Sequence, residues 1–141
     1  MSAKFFLDTN IFIYSFEGKS SNKARAALQL IRQAIEKRTG VVSYQVVQEF
    51  FHVALRRFSR PMTLSEAEQY LATTFRPLLV VNSSLSLYTE ALQMVNRFKL
   101  PWYDALIVAS AIASQCDVLY SEDLQHGQQF GKLRISNPFL P

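Results

Sequence analysis

Short apolar runs alternate along the chain with longer segments in which apolar residues recur every three or four positions. A short apolar run predicts a strand buried on both faces. Recurrence at three or four positions predicts an amphipathic helix. The predicted strands cover residues 4–8, 41–43, 78–81 and 118–120, and residues 133–135 form a possible fifth strand.

Capping residues mark the ends of the predicted helices. Ser21 and Asn22 can cap the first helix, and Gly40 is expected to end that helical region. Thr63 and Glu66 have the spacing of a capping box. The predicted helices cover about residues 23–37, 44–58, 63–74, 84–98 and 102–114, with Ser84 or Ser86 capping the fourth and Pro101 preceding the fifth.

The alternation of strands and helices over the whole length predicts an α/β fold. We expect a parallel central sheet of about five strands with helices on both faces. A chain of 141 residues fits one domain, and the sequence shows no repeat, low-complexity tract or linker. The predicted architecture is therefore a single three-layer domain over residues 1–141.

The composition narrows the class of protein. Hydrophobic residues make up 49% and charged residues 18% of the chain, as in packed globular proteins. The single cysteine, Cys116, cannot form an internal disulfide and is expected to be a small buried hydrophobe. The segment before Asp8 is too short for a signal peptide, and residues 105–113 reach about half of a membrane span. We therefore expect a cytoplasmic protein without a membrane segment.

The charge distribution permits a polyanionic partner without requiring one. The formal net charge is +4. Any single basic pair is explained as a solvated helix end or loop. Together, with the acids withdrawn into a cleft, the basic residues would form a basic rim. The groups are Lys37 with Arg38, Arg56 and Arg57 with Arg60, Arg97 with Lys99, and Lys132 with Arg134.

Two carboxylates occur where local packing disfavours them. Asp8 ends the first predicted strand, and ligands of open α/β sheets bind beyond the carboxyl ends of strands. A helix cap for a helix from Ile11 is the alternative explanation. Glu49 falls within the apolar stripe of the second helix, where a carboxylate must be paired, protonated or metal-bound. Pairing with Arg or Lys at the edge of the stripe is its alternative.

Two further acids have plain structural explanations that weigh as much as functional ones. Asp104 lies in the first turn of the helix after Pro101, where the helix dipole favours an acid. Asp123 follows the fourth strand and can cap a turn or helix there. Both explanations remain open on local grounds, but Asp8 and Asp123 are expected at the same edge of the sheet.

Four segments in order resemble the PIN-domain nucleases of the VapC-like group. They are FLDTN at 6–10, QEF at 48–50, WYDALIVA at 102–109 and LYSEDL at 119–124. No single segment is specific, but their order and spacing match over nearly the whole chain. The resemblance implies a parallel sheet flanked by helices and an acidic pocket that binds Mg²⁺ or Mn²⁺ and cleaves RNA. It assigns the metal and catalytic acids to Asp8, Glu49, Asp104 and Asp123, supporting polar positions to Asn10 and Ser121, and minor roles to Glu122 and Thr9.

The leading hypothesis is a metal-dependent endoribonuclease, the toxin of a type II toxin–antitoxin pair. The resemblance further implies a homodimer and a small co-encoded antitoxin. A catalytically silent PIN-like RNA-binding module is the alternative, disfavoured because all four acids are present. A phosphoaspartyl or receiver domain is disfavoured because Asp8 lacks a second acid beside it and no lysine follows Tyr120 before Lys132.

Other candidate chemistry is weaker. His52 has no zinc-type partner at suitable spacing and is expected on the helix surface or in the core. His126 could approach the cleft only as a minor participant. Trp102 and Tyr103 beside Asp104 could stack on an RNA base, although core packing is the favoured interpretation for both. The chain has only four glycines and no glycine-rich phosphate loop.

Overall fold

The computed structural model describes residues 3–17 and 21–141, in which strands and helices alternate as the sequence predicts. Met1 and Ser2, which begin the segment assessed as a signal peptide, lie outside the described residues. The elements are β1 (Phe5–Leu7), α1 (Thr9–Tyr14), α2 (Asn22–Glu36), β2 (Gly40–Ser43), α3 (Tyr44–Ala54), α4 (Leu64–Tyr70), β3 (Leu79–Val81), α5 (Leu85–Phe98), α6 (Trp102–Ala113), β4 (Val118–Tyr120), β5 (Gln129–Phe130) and β6 (Leu133–Ser136).

The sheet has the strand order β3-β2-β1-β4-β6-β5. Every pair is parallel except β5 with β6. The five predicted strands are confirmed, and the sixth, β5, is added at one edge. Two residues are too few to show a period, and this hairpin turns at Gly131, whose φ of +63° suits glycine. The strand order reverses between β1 and β4, which places a crevice beyond their carboxyl ends.

Three helices, α1, α3 and α4, differ most from the predicted helices. Helix α1 begins directly after Asp8, so the alternative of a helix cap is part of the structure. Helix α3 ends at Ala54, four residues before its predicted end. Helix α4 ends at Tyr70, and a π-helical turn over Leu71–Phe75 continues it. Apolar residues follow the ends of α3 and α4, at Leu55 and Leu71, so the apolar pattern does not mark these ends.

Gly40 begins a strand instead of ending a helix, which corrects the prediction. Helix α2 ends at Glu36, and Arg38 takes the left-handed conformation with φ of +54°. A Cβ atom on Gly40 would lie 2.1 Å from the Cβ of Ala34. Glycine is therefore required here by the close approach of β2 to α2.

Helices α3 and α6 hold two of the four acids in place through their buried residues. Residues Ala105 to Ala111 of α6 are all buried, so the first turn of this helix is fixed against the core. In α3, Val46 and Phe50 are fully buried on either side of Glu49 in the sequence. Cys116 is buried and unpaired, as predicted. Within residues 3–17 and 21–141, no helix combines the length and apolar character that a membrane span requires.

Candidate active site

The four acids line one pocket of about 210 Å³ at the carboxyl edge of the sheet. Asp8 follows β1 and Asp123 follows β4, the two strands at which the strand order reverses. Glu49 reaches the pocket from α3 and Asp104 from the first turn of α6. Residues separated by up to 115 positions in the chain thus share one cleft.

Asp8 is the most buried of the four acids, with 7% of its surface exposed. One carboxylate oxygen, Oδ1, accepts a hydrogen bond from the backbone N–H of Thr9 at 2.7 Å. The other, Oδ2, accepts from the Ser121 hydroxyl at 2.8 Å. Burial raises the pKa of Asp8 to about 6, and the charges of Asp123 and Glu49 add to the rise against these hydrogen bonds. Asp8 both caps α1 and contributes a carboxylate to the pocket.

Neighbouring hydroxyl and amide groups orient two of the other acids. The Thr9 hydroxyl donates to Glu49 Oε1 at 2.8 Å, and the Asn10 amide donates to Asp123 Oδ2 at 2.9 Å. The two ion pairs among the described residues, Lys23 with Glu122 and Lys132 with Asp117, involve no acid of the pocket. Glu49 is therefore not paired with a lysine or an arginine, which was the alternative explanation for its position. The segment Asp8–Asn10 therefore anchors three of the four carboxylates.

Asp104 is half-buried and stands in the first turn of α6, where its charge also complements the helix dipole. Burial raises the pKa of Asp104, and the nearby charges of Asp123 and Glu49 raise it further. Asp104 therefore serves both as a first-turn acid of α6 and as one of the carboxylates that line the pocket.

Ser121 is fully buried and forms hydrogen bonds with two residues that line the pocket, Asp8 and Asp123. Its Oγ donates to Asp8 and accepts from the backbone N–H of Asp123 at 3.2 Å. One hydroxyl therefore links the loop after β4 to the end of β1, as expected for a supporting polar position.

Replacing Ser121 with alanine is expected to lower the free energy of unfolding by about 1–3 kcal/mol at pH 8. The Ser121 hydrogen bond favours the charged form of Asp8, so its loss raises the pKa of that carboxyl further and should cost less at pH 4. Urea unfolding at both pH values measures the difference. Ser110→Ala, which removes a buried hydroxyl bonded within α6, is the matched control. An equal loss at both pH values would contradict the assigned role.

Glu122 lies outside the pocket that its neighbour Asp123 lines. Its carboxylate accepts hydrogen bonds from the Tyr14 hydroxyl and from Lys23, whose Nζ lies 2.7 Å away. The bond from Lys23, followed by that from Tyr14, lowers the pKa of Glu122. The structure thus assigns this corner of the pocket to Asp123, with Glu122 joining the loop to α1 and α2.

Two pocket residues were missed or undervalued in the sequence. Gln45 lines the pocket from α3, and its only sequence signal is a polar residue four positions before Glu49. The core interpretation of Tyr103 is wrong, because this residue is 64% exposed and lines the pocket. His52 is exposed on α3, as predicted, and His126 accepts from the backbone N–H of Asn137 outside the pocket.

The donor chemistry of the pocket fits a hard divalent cation. Its charged groups are four carboxylates, and Mg²⁺ prefers oxygen ligands. In the described part of the chain, no three His, Cys, Asp or Glu side chains stand close enough to enclose an ion directly. Mg²⁺ keeps several waters and needs only one or two direct carboxylates, so the wider spacing suits a hydrated ion.

A larger groove adjoins the acidic pocket. It has a volume of about 620 Å³ and shares Ile13 and Val53 with the pocket. Phe16, which is 47% exposed, is one of the apolar residues that line the groove, and Arg57 and Arg60 line the groove as well. The groove therefore extends the cleft towards the basic turn after α3.

The fold and the pocket define an α/β protein with an acid-lined site at the switch point of a mainly parallel sheet. The model of the PIN domain family matches residues 5–128. The chain therefore belongs to the PIN domain family, which confirms the resemblance found in its sequence.

Solved structures with this fold include proteins of toxin–antitoxin systems. A toxin–antitoxin complex from Klebsiella pneumoniae has a TM-score of 0.67 at 21% identity, with 98% of each chain covered. VapC20 of Mycobacterium tuberculosis, described as a sarcin-ricin loop cleaving toxin, has a TM-score of 0.62 at 17% identity, covering 84% of this chain and 88% of that one. VapBC2 of Rickettsia felis, bound to a promoter DNA fragment, has a TM-score of 0.66 at 16% identity, covering 94% and 97%. At these identities the likeness establishes the shared fold. No curated protein sequence matches the chain significantly.

Proposed function

We propose that this chain is a Mg²⁺- or Mn²⁺-dependent endoribonuclease acting as the toxin of a toxin–antitoxin pair. The observation that carries the proposal is the meeting of Asp8, Glu49, Asp104 and Asp123 in one pocket. A silent RNA-binding module has no need to keep four mutually repelling carboxylates in a cleft, because their charges would also repel RNA.

The residues of the pocket have distinct tasks in this proposal. A bound divalent cation would lower the pKa of a water nucleophile and neutralise charge on the phosphate. The four carboxylates would surround the hydrated cation, and Thr9, Asn10 and Ser121 keep three of them in a fixed orientation. This preorientation matters because small misplacements of reacting groups reduce the rate strongly.

The direct test is cleavage of labelled single-stranded RNA by the purified chain. Cleavage with Mg²⁺ or Mn²⁺ that stops on chelation supports the proposal. Equal cleavage by wild type and by Asp8→Asn would overturn it and leave the silent binding module as the better explanation.

We further propose that the RNA strand continues from the acidic pocket into the adjoining groove. Arg57 and Arg60 can contact phosphates there, and Phe16 offers an exposed aromatic face for a base. Neither arginine lies within ion-pair distance of a carboxylate among the described residues. Glu17 and Glu66 also line the groove. The hydrogen bonds with Thr63, followed by the charge of Arg60, lower the pKa of Glu66, so Arg60 acts on this carboxylate as well as on the nucleic acid.

The double change Arg57→Ala and Arg60→Ala is expected to weaken RNA binding by about tenfold at low salt. It should also reduce the dependence of log Kd on log salt concentration by about 1.4, since two phosphate contacts are lost. Fluorescence anisotropy in the Asp8→Asn background avoids cleavage during the titration. The pair Arg25→Ala and Arg32→Ala, exposed on α2, is the control. An equal effect of both pairs would contradict a specific path through the groove.

The proposed toxin role includes a small protein partner and a homodimer. The Klebsiella pneumoniae and Rickettsia felis structures are toxin–antitoxin assemblies, and this chain shares their fold. We place the activity in the cytoplasm, where RNA is present and where a single buried cysteine needs no oxidant. We expect a small reading frame beside the gene, and co-expression of its product should suppress cleavage. Light scattering of the purified chain measures the dimer.

A further inference from the structure

Helix α1 holds the loop after β4 at two points, one helical turn apart. The Asn10 amide donates to Asp123 Oδ2 at 2.9 Å, and the Tyr14 hydroxyl donates to Glu122 Oε1. Asn10 and Tyr14 are four positions apart in α1, so their side chains lie on the same face of the helix. One face of α1 therefore binds two consecutive loop residues, of which Asp123 lines the acidic pocket and Glu122 does not.

The bond from Tyr14 to Glu122 joins a hydroxyl to a charged carboxylate. The hydrogen bonds from Lys23 and Tyr14 lower the pKa of Glu122, so this carboxyl is ionised at neutral pH. The same bond raises the pKa of Tyr14, so its hydroxyl keeps the proton that it donates. Hydrogen bonds to an ionised acceptor are about twice as strong as bonds between neutral groups. The bond therefore fixes the loop to α1 more firmly than a neutral contact would.

The Tyr14 ring is itself held by two other parts of the chain. It packs edge-on against Phe139 near the C-terminus, with the ring centroids 5.1 Å apart. Lys23 Nζ lies 4.5 Å from the centroid of the Tyr14 ring and 2.7 Å from Glu122 Oε2. The Lys23 side chain is 47% exposed, and an ion pair at such a site contributes little by itself. The Tyr14 hydroxyl is therefore the better candidate for the group that fixes Glu122.

We propose that Tyr14 is a positioning residue of the acidic pocket, whose hydroxyl fixes Glu122 and thereby the place of the Asp123 carboxylate. This inference rests on the proposed function. Asp123 is exposed, and in the described part of the chain its carboxylate has a single hydrogen bond, from Asn10. Its place therefore depends on the backbone of the loop, to which Glu122 is the adjacent anchor. Small displacements of groups around a reacting centre reduce the rate strongly.

The test measures Mg²⁺ binding without RNA, by isothermal titration calorimetry on the purified chain. Tyr14→Phe removes the hydroxyl and keeps the ring that packs against Phe139, so we expect the fold to be retained. Mg²⁺ binding should be about tenfold weaker than in wild type. Tyr88→Phe removes a hydroxyl that contacts Tyr44 outside the pocket, and it should bind as wild type does. Binding by Tyr14→Phe equal to that of wild type would overturn the inference.

The background variant Glu122→Ala distinguishes the proposed route from a general effect on the fold. Because the acceptor is then absent, adding Tyr14→Phe should change the Mg²⁺ affinity by less than about twofold. A further loss of about tenfold would show that Tyr14 acts by another route, which also overturns the inference.

Cleavage kinetics give an independent readout of the same role. At saturating Mg²⁺, Tyr14→Phe should lower kcat about tenfold and leave KM for RNA unchanged, because the side chains of the groove are untouched. A raised KM with kcat unchanged would place Tyr14 in RNA binding and overturn the inference. Wild type that binds Mg²⁺ separates these failures from failure of the proposed function, and wild type without Mg²⁺ binding would overturn both.

Discussion

Replacing Asp8 with asparagine is expected to stop RNA cleavage and to make the metal-free protein more stable above pH 6. The loss of a carboxylate at the centre of the pocket should reduce kcat by at least about a thousandfold, the equivalent of several kcal/mol of charge stabilisation. The gain in stability follows from the burial of Asp8, because its charged form is unfavourable in the folded state.

The direction of the pH effect follows from the raised pKa of Asp8. The folded state keeps a proton up to about pH 6, whereas the ordinary value of 3.8 applies on unfolding. Between these values the folded state binds more protons, so stability falls as the pH rises. A difference of about two units corresponds to about 3 kcal/mol above pH 6. Asparagine has one acceptor oxygen, so it can keep the bond from the Thr9 N–H, but its Nδ2 cannot accept from the Ser121 hydroxyl. The loss of that bond offsets part of the gain.

Thermal unfolding of metal-free wild type and Asp8→Asn at pH 4 and pH 8 measures this effect. We expect the variant to melt about 5 °C higher than wild type at pH 8 and close to wild type at pH 4. Asp117→Asn is a suitable control, since this half-buried acid pairs with Lys132 outside the pocket. A variant destabilised at pH 8 would contradict a strained carboxylate at this position.

Millimolar Mg²⁺ or Mn²⁺ is expected to raise the melting temperature of wild type by about 8 °C, and chelation should abolish cleavage. Metal-free, the carboxylates of the pocket repel one another, and a bound cation removes that repulsion. A ligand at a hundred times its Kd stabilises the folded state by about 2.7 kcal/mol. For a domain of this size, each kcal/mol corresponds to about 3 °C.

Differential scanning fluorimetry over a metal titration gives the shift, and a cleavage assay with chelator and added metal gives the activity. Asp8→Asn should show a much smaller shift than wild type, whereas Ser110→Ala should show the full shift. A constant melting temperature across millimolar metal, with cleavage unaffected by chelator, would exclude the proposed metal site.

The strands were predictable because each is a short apolar run, although Leu79 and Val80 of the edge strand β3 are exposed, whereas β2 is buried at every position. Val118–Tyr120 was predicted with its observed bounds, and the other four differ by one or two residues at their ends. Strand β5 was not predictable in this way. Its two residues pair only because the turn at Gly131 returns the chain to β6.

The site was predictable to different degrees at different residues. Asp8 and Glu49 stand out locally, because a strand end and an apolar stripe each make an acid unfavourable unless it has a partner. Asp104 and Asp123 have ordinary explanations as a first-turn acid and a cap, and only their order among the matching segments distinguished them. Gln45 has no local signal that separates it from a helix-surface glutamine.

The sequence by itself determined the alternation of strands and helices, the family, and the acids that could form a site. Tertiary structure alone decided that Asp123 faces the pocket while Glu122 turns to Lys23 and Tyr14. It also decided that the amide of Gln45 spans α3 and α6. The physical reason is that periodicity and propensity act over a few neighbouring residues. The partner of a carboxylate or an amide is set by packing between elements up to 115 positions apart, which local pattern does not encode.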